Sequence, residues 1–570
     1  MKKLFLPALV LLMFACQIGA PPATDTPPPS PTVVQPTTPP EPSPQPTEVP
    51  VIPKDISINV TGEEELVFDW TTDRCEPDHI PDIATRAFRD ADGMVQLWIG
   101  HYVNYRMIGP DLNNLESDCT VLMNSDYDPD PSQFNDSEWL AALYTEDGET
   151  IYAIMHNEYR GDTHTATRPG QCPSGDRLTC LDTSVTMAIS TDGGDSFYDI
   201  LEPPNHMVAT MPYVFNDEGV PSGLRQPSNI IKGPDDYFYV FTNISDYPVF
   251  PGDFPPQWVC AMRTDDLSDP SSWRFWNGED FTGQFVNPYV EELGPSTPKC
   301  APLAVEQLTG GIQESIVYSS TLERYVMVGF TNPPTGGTNL GYYYSLSEDL
   351  IHWTPRELIL ELPGTYTVED NSKDLFYAYP TLLDPDSQSL NFDTVDDQFY
   401  LYITRFNQGI TLDRDLVRFP LELTVTDYPA PEPWLFDTDG DLEGWFPYVH
   451  LEDFAVQDGS LSMRSTGEDP HMGSPLLTVV AVQNSKITIE MKVSPGEQSE
   501  GQLFFITDSD GEWGEAKSVF FPVIADGEFH TYELDMSTIE GWQGIVTQIR
   551  LDPLYTPDSV IEIDSIVFVN

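Results

Sequence analysis

The fold is indicated most directly by a tight polar turn that ends on an aromatic residue, Ser190-Thr191-Asp192-Gly193-Gly194-Asp195-Ser196-Phe197. Asp-rich turns of this kind recur at residues 264–273, 347–353 and 412–416. Between the turns lie short alternating apolar runs, at residues 94–99, 151–155, 237–241, 325–330 and 399–403. Many short strands separated by Asp, Gly, Pro and Asn are typical of an all-β protein.

The five apolar runs also behave as a repeat. Each follows an Asp/Gly turn or a similar break, and most are followed by a second strand and another Asp-rich turn. Their spacing is roughly the 40 to 80 residues that a four-stranded blade with its loops needs. The sequence therefore predicts a five-bladed β-propeller over residues 56–428.

The turns carry a family resemblance. Residues 190–197 fit S-x-D-x-G-x-x-[W/F] and resemble the Asp-box of sialidase-like propellers, in which Asp caps the turn, Gly supplies a positive φ and the aromatic residue packs between blades. Residues 264–273 and 347–353 resemble the S-x-D-L-x-x-W turn of five-bladed glycoside hydrolases, such as the arabinanase, xylosidase and fructosidase-like enzymes. The resemblance implies an active site at the centre of one face, where carboxylates from different blades meet.

Three acidic residues near predicted inner strands are the catalytic candidates. Asp82 precedes the first strand, Glu158 ends a strand of the second repeat, and Glu314 precedes a strand of the fourth. Each has a structural alternative: Asp82 as a turn residue, Glu158 in a buried ion pair, and Glu314 as a solvent-facing side chain.

Substrate-binding candidates flank the same strands. A strand places His156 and Glu158 on one face, so both are expected to enter one pocket. Arginines are suited to clamp a carboxylate, although they equally suit ion pairs between blades. A sialidase-like alternative uses three arginines for a substrate carboxylate, and Arg86, Arg225 and Arg405 are its candidates; one Asp-box and five repeats favour it less than the hydrolase. The full set of substrate-binding candidates is Arg86, His156, Arg225, Asn229, Tyr379 and Arg405.

The charge balance excludes some partners. The chain has 26 basic and 91 acidic residues, a formal net charge of −65. Binding to nucleic acid through a basic patch is therefore not expected, and a membrane contact is expected only through a lipid. Two explanations of the acidity stay open, namely Ca²⁺ sites and a solvated acidic surface. We expect a monomer.

The N-terminus predicts export. Lys2 and Lys3 precede an apolar run at residues 4–14 that is too short to cross a bilayer. Residues 11–16 resemble a bacterial lipobox, which implies a signal peptide at 1–16 and a lipid on Cys16; an ordinary signal peptide is the alternative. Residues 17–55 form the predicted stalk, with 13 Pro and 6 Thr between 21 and 50.

Six cysteines remain once Cys16 is set aside. An even number in an exported chain indicates disulfides, and six cysteines allow 15 connectivities. We expect the cysteines to pair in sequential order, because each disulfide would then close one loop of the chain. The six are Cys75, Cys119, Cys172, Cys180, Cys260 and Cys300.

A Pro-rich stretch at 428–433 precedes a second predicted domain at 434–570. Its alternating strands predict a β-sandwich of the jelly-roll type. It resembles carbohydrate-binding modules that begin F-x-x-x-x-x-x-G-W and end I-x-I-D-x-I, and such modules commonly hold one structural Ca²⁺. The resemblance implies Asp437, Asp439 and Asp564 as ligands, with turn capping as the alternative.

These observations predict an exported, surface-anchored protein that acts on a polysaccharide or other glycan. The first hypothesis is a glycoside hydrolase with a C-terminal glycan-binding module. The second is a non-catalytic glycan-binding lipoprotein, and a sialidase-like enzyme is the third.

Overall fold

The structure is a computed structural model that describes residues 52–570 except 176, 178–179, 216–221, 247–256, 295–296, 304–311, 332–339 and 364–373. The predicted signal peptide, Cys16 and nearly all of the predicted stalk lie outside the described residues. One α-helix is described, α1(Trp70–Asp73). No helix in this part of the chain is both long and apolar enough to cross a membrane.

The described strands before residue 430 form four sheets, one of which divides in two at a short parallel pairing. We call the resulting five groups of mainly antiparallel strands blades 1 to 5. Blade 1 contains β3(Ala87–Arg89), β4(Val95–Ile99), β5(Val103–Gly109) and β6(Glu116–Asn124). Blade 2 contains β7(Ser137–Thr145), β8(Ile151–Arg160), β9(Leu181–Ser190), β10(Tyr198–Asp199) and β11(Met207–Ala209). Blade 3 contains β12(Ser222–Arg225), β13(Ile231–Lys232), β14(Phe238–Ser245), β15(Gln257–Thr264) and β16(Arg274–Phe275). A short parallel pairing of β9 with β12 joins blades 2 and 3 into one sheet.

Blade 4 contains β17(Ser315–Ser319), β18(Arg324–Thr331), β19(Gly341–Ser347), β20(Glu357–Leu360) and the added strand β22(Thr394–Val395). Blade 5 is built from both ends of the propeller: β1(Asp55–Val60), β2(Glu65–Phe68), β21(Phe376–Leu383), β23(Gln398–Phe406) and β24(Arg414–Thr426). β1 pairs with β24 along its whole length, so the start of the described chain completes the last blade. This closure fixes the ring, because opening it requires breaking a full ladder of backbone hydrogen bonds.

The turn at residues 190–197 has the geometry that its sequence predicts. Ser190 Oγ donates to Asp192 Oδ1 at 2.7 Å, and the Ser196 amide donates to the same oxygen at 3.0 Å. Gly193 and Gly194 have φ of 73° and 94°, which an L side chain rarely adopts. Phe197 is buried and packs edge-on against Trp98 of blade 1, with ring centroids 5.2 Å apart. The aromatic residue therefore couples neighbouring blades.

Residues after 434 form two antiparallel sheets around a separate apolar core, which includes Phe436, Trp445 and Trp542. The all-β fold, a propeller followed by a β-sandwich, is thus confirmed. The first sheet contains β25(Phe446–Val449), β28(His471–Gly473), β29(Val479–Val480), β31(Ser499–Thr507), β32(Ser518–Val523) and β34(Ile545–Asp552). The second contains β26(Leu451–Gln457), β27(Ser460–Ser465), β30(Lys486–Val493), β33(Phe529–Asp535) and β35(Val560–Val569).

Three disulfides join the cysteines in sequential order. They link Cys75 to Cys119, Cys172 to Cys180, and Cys260 to Cys300. The second closes a loop of only eight residues in sequence between β8 and β9. That loop reaches the site described next.

Candidate functional site

A cavity of about 540 Å³ lies where blades 1, 2, 3 and 5 meet. Because residues of four blades line it, it lies near the propeller axis. Its size is within the range of sites for small ligands. The polar and aromatic residues that line it are Asp82, His101, Tyr102, Trp139, His156, Glu158, Arg160, Arg177, Arg225, Gln226, Asn243, Gln257, Phe376, Tyr379, Phe406, Thr411 and Arg414.

Asp82 is held in the cavity by groups from two blades. Its backbone amide donates to the Gly100 carbonyl at 2.9 Å, which ties the segment before β3 to the end of β4. Arg414, the first residue of β24, forms an ion pair with Asp82 Oδ1, and the Tyr379 hydroxyl donates to the same oxygen at 3.2 Å. His101 Nε2 lies 3.5 Å from Asp82 Oδ2. Arg414 and Tyr379 both contact Oδ1, which leaves Oδ2 less occupied and open to a ligand.

Tyr379 reaches Asp82 through an irregularity of its strand. The pairing of β21 with β23 shifts register between Ala378 and Thr381, and Tyr379 has a φ of 63°. A bulge of this kind redirects a side chain, and non-glycine residues at positive φ concentrate at functional sites. Burial and the charge of Asp82 raise the pKa of Tyr379 well above its usual value. The phenol is therefore a hydrogen-bond donor at neutral pH.

Glu158 is the second carboxylate of the cavity. It lies two residues after His156 on β8, and His156 Nε2 is 3.4 Å from Glu158 Oε1. The Arg160 and Arg177 guanidinium groups each lie 4.0 Å from Oε2. Burial alone would raise the pKa of Glu158, but the hydrogen bond from His156 and the charges of His156, Arg177 and Arg160 together lower it. Glu158 is thus ionised beside three cationic or dipolar partners.

The cations of the cavity arrive by different routes. Arg160 ends β8, Arg225 ends β12, and Arg177 lies inside the loop that the Cys172–Cys180 disulfide closes. The Arg177 side chain is 57% exposed, so it is accessible to a ligand. With Arg414, four arginines and two carboxylates line the described cavity wall, in a chain whose net charge is −65. The cavity is a local cationic site on a strongly acidic protein.

Arg86 does not line this cavity, although the sequence predicts it as substrate-binding. It is buried on the propeller axis, where its guanidinium donates to the Ala141, Glu314, Pro227 and Thr85 carbonyls and to Thr381 Oγ1 at 2.8–3.3 Å. These acceptors belong to blade 1 and to segments of the other four blades. A side chain with all its donors occupied in this way has a structural function, because it connects the five blades at the axis.

Glu314 is also beneath the cavity and not among its lining residues. It is buried, and burial raises its pKa to about 8 against the opposing charge of Arg86. Burial in turn lowers the pKa of Arg86 to about 9, opposed by Glu314. Glu314 is thus neither solvent-facing, as one sequence alternative had it, nor exposed to a ligand in the described wall.

Asn229 and Arg405 occupy structural positions too. The Asn229 side chain exchanges two hydrogen bonds with the Ile316 backbone, at 2.7 and 2.8 Å, and so joins blade 3 to blade 4. Arg405 pairs with Glu64 and with Asp415 Oδ2, the latter at 2.6 Å, which ties strands of blade 5 together. Of the arginine trio expected for a sialidase-like site, only Arg225 faces the cavity, so the trio is not assembled.

The predicted Ca²⁺ ligands of the second domain lie apart from the acidic clusters. Asp437 and Asp439 are exposed, and Asp439 Oδ1 accepts from the Asp458 amide at 2.9 Å. Among the described residues, the side-chain clusters with the spacing of metal ligands do not include these two residues or Asp564. Asp439 therefore acts as a turn cap, and Ca²⁺ binding at the three residues stays a prediction.

Sequence reasoning missed several cavity residues. Arg414 begins β24, within residues 412–416 that the sequence marks only as an Asp-rich turn, and His101 lies two residues after the end of β4. Position in the sequence would have identified both residues, because each is a polar residue next to the end of a predicted strand. Arg160 continues the alternation of His156 and Glu158 by one more step along β8.

No family model matches this chain, and no curated protein matches it. Solved structures do align with it, at low identity. A Dyadobacter fermentans protein of unknown function covers 64% of this chain and 99% of its own, with 11% identity and a TM-score of 0.36. A Bacillus subtilis family 43 arabinoxylan arabinofuranohydrolase, in complex with cellotetraose, covers 86% and 96% with 10% identity and a TM-score of 0.30. A Cellvibrio cellulosa α-L-arabinanase with arabinohexaose covers 59% and 90% with 10% identity and a TM-score of 0.31.

Proposed function

We propose that this protein is an exported glycoside hydrolase that cleaves an acidic glycan at the cavity of its propeller. One observation carries the proposal: Asp82 and Glu158, from different blades, face the same cavity together with four arginines. Hydrolysis of a glycosidic bond uses a pair of carboxyl groups on either side of that bond. The arginines supply the reason for an acidic substrate, since a guanidinium fork matches a carboxylate.

Asp82 suits the base or the nucleophile. Arg414 pairs with its Oδ1, and the Tyr379 hydroxyl fixes the orientation of the same oxygen. Oδ2 faces His101 at a longer distance of 3.5 Å. A water or an anomeric carbon placed near Oδ2 would meet an oxygen that its neighbours do not fully use.

Glu158 suits the acid once the substrate is bound. In the free cavity the hydrogen bond from His156 and the charges of His156, Arg177 and Arg160 together outweigh the effect of burial on its pKa. A substrate carboxylate that pairs with these cations offsets their charge, so the opposing effect of burial on the pKa gains weight. Glu158 takes up a proton under those conditions and donates it to the leaving oxygen, so that an acidic substrate activates its own cleavage.

A second candidate function is binding without cleavage. It is favoured by the lowered pKa of Glu158 in the free cavity, since Glu158 is then not a ready proton donor. Trp139 and Tyr102 supply aromatic faces for a sugar ring in either case.

The proposal also includes an exported, lipid-anchored chain with a glycan-binding β-sandwich. Three disulfides support an oxidising compartment. The lipid on Cys16 rests on the sequence alone. Mass spectrometry of the N-terminal peptide from membranes of the native cells would test it, because a diacylated Cys16 is heavier than a free one.

The test of the activity is reducing-sugar release from a panel of neutral, uronate-containing and sialylated polysaccharides. We expect release from a carboxylate-bearing glycan, and a fall of about 10²- to 10⁴-fold in Glu158→Gln and Asp82→Asn. The exposed Glu348→Gln is the matched control and should keep full activity. Retention on an acidic glycan without release would support the second candidate. If the protein neither releases sugar from an acidic glycan nor is retained on one, both candidate functions are contradicted.

A further inference from the structure

A second cluster of ligand-type side chains lies inside blade 2, apart from the cavity. Glu138 is on β7, Asp199 ends β10, and His206 immediately precedes β11. Their ligand atoms all lie within 4.8 Å of one another, and His206 Nε2 is 4.0 Å from Glu138 Oε1. Trp139, the residue after Glu138, faces the cavity. None of the three cluster residues lines the cavity, so the proposed hydrolase does not use them.

The cluster contains buried polar atoms that no donor or acceptor satisfies. His206 is fully buried, and neither of its ring nitrogens makes a hydrogen bond of normal geometry. Asp199 Oδ1 is also buried and accepts no hydrogen bond. Glu138 is 1% exposed, and among the described residues its side chain accepts one hydrogen bond, a long one of 3.5 Å from Thr186 Oγ1. Buried groups of this kind are costly and rare unless something outside the protein satisfies them.

The cluster contains no cationic side chain. No Arg or Lys among the described residues is paired with any of the three side chains. Two carboxyl groups and an imidazole that face one another form a donor set without a positive charge.

We propose that Glu138, Asp199 and His206 bind one divalent transition-metal ion, with Zn²⁺ as the best fit. Hard cations such as Ca²⁺ and Mg²⁺ take oxygen ligands, whereas a set of one imidazole and two carboxylates suits Zn²⁺. Tetrahedral Zn²⁺ with ligands at about 2.0 Å separates the ligand atoms by about 3.3 Å, so small side-chain rotations complete the site. The metal has a structural function: it joins β7 to the segment that carries β10 and β11.

The second domain supplies an internal comparison. Asp469, His471 and Asp552 also have ligand spacing, but Asp552 accepts two hydrogen bonds from Arg550, at 2.8 and 2.6 Å. That carboxylate already has its cation. We therefore expect no metal there, which makes His471→Gln the matched control for His206→Gln.

The test uses the untagged full chain, stripped with EDTA and then dialysed against ZnCl₂, MnCl₂, CaCl₂ or MgCl₂. We expect about one Zn²⁺ retained per chain and a higher melting temperature with Zn²⁺ than with EDTA. Glu138→Gln and His206→Gln should weaken Zn²⁺ binding by more than about tenfold, because outer ligands alone account for 10- to 100-fold. His471→Gln should bind as the parent does.

Zn²⁺ retained equally by both cluster variants, Ca²⁺ retained in its place, or no metal retained by the parent would overturn the proposal. Should either variant fail to fold, the X-ray absorption spectrum of the Zn²⁺-loaded parent decides the matter. One imidazole with oxygen neighbours supports the site, and a spectrum without imidazole overturns it.

Discussion

The charged groups of the cavity and those of the propeller axis come from the same blades, but they differ in how far the protein itself satisfies their hydrogen bonds. On the axis, Arg86 donates to five acceptors of the protein itself, so nothing is left for a ligand. In the cavity, Glu158 Oε2 makes no hydrogen bond, and Arg177 is largely exposed. The difference distinguishes an arginine that joins the blades from arginines that face the cavity. Polar groups whose hydrogen bonds are made within the protein indicate a structural role, and those without such partners indicate a functional one.

The largest effect is expected from Arg86→Met, which removes the axis donors and keeps much of the side-chain volume. Four carbonyl oxygens and Thr381 Oγ1 each lose a hydrogen bond, although Thr381 still donates to the Thr85 carbonyl. Each buried group left unsatisfied costs about 1–3 kcal/mol. We expect the free energy of unfolding, measured in urea by near-UV circular dichroism, to fall by at least about 3 kcal/mol.

Arg324→Met is the matched control for this change. Arg324 pairs with Glu348 at the surface, so its loss should cost less than about 1 kcal/mol. Equal losses in the two variants would remove the distinction between the axis and the rest of the propeller.

The next effect concerns Glu314, the acidic neighbour of Arg86. Its pKa of about 8 in the folded protein is above the ordinary 4.5, so the folded form holds a proton that the unfolded form releases between these values. Stability from this group therefore falls as the pH rises from about 4.5 to 8, by at most about 1.4 kcal/mol per pH unit.

Glu314→Gln removes that dependence. In parallel urea titrations, we expect the free energy of unfolding of Glu314→Gln to rise relative to that of the parent at each step from pH 5 to pH 8. Glu348 is exposed, so Glu348→Gln is the control for the effect of burial. Its free energy of unfolding should show the same pH dependence as that of the parent. A constant difference between Glu314→Gln and the parent at every pH would show that Glu314 is ionised on the axis.

These contrasts also show what the sequence could and could not predict. The strands and turns were predictable because their signals are local, and so was the shared face of His156 and Glu158, two residues apart on one strand. The assignment of Arg86 failed because its acceptors lie up to 295 residues away in sequence. Arg414 was missed for the same reason, since its partner Asp82 is 332 residues away. Whether an arginine is satisfied depends on neighbours that only the closed ring brings together.

The smallest effect is expected at the cavity rim, where Arg177 is largely exposed and contributes little to stability. Arg177→Ala should weaken binding of an acidic oligosaccharide by about tenfold, the loss of one charge-assisted pair, while the unfolding free energy changes by less than about 1 kcal/mol. Isothermal titration calorimetry measures the first quantity and urea titration the second.

The loop that carries Arg177 sharpens this prediction. Replacing Cys172 and Cys180 by Ser frees an eight-residue loop, which should cost about 2–3 kcal/mol of stability and weaken oligosaccharide binding as Arg177→Ala does. Replacing Cys260 and Cys300 also removes a disulfide, but none of the described residues between these two cysteines lines the cavity. That control should lose stability and keep its affinity. Equal affinity in all three variants would mean that Arg177 does not contact the ligand, and the cationic character of the cavity would then rest on Arg160, Arg225 and Arg414 alone.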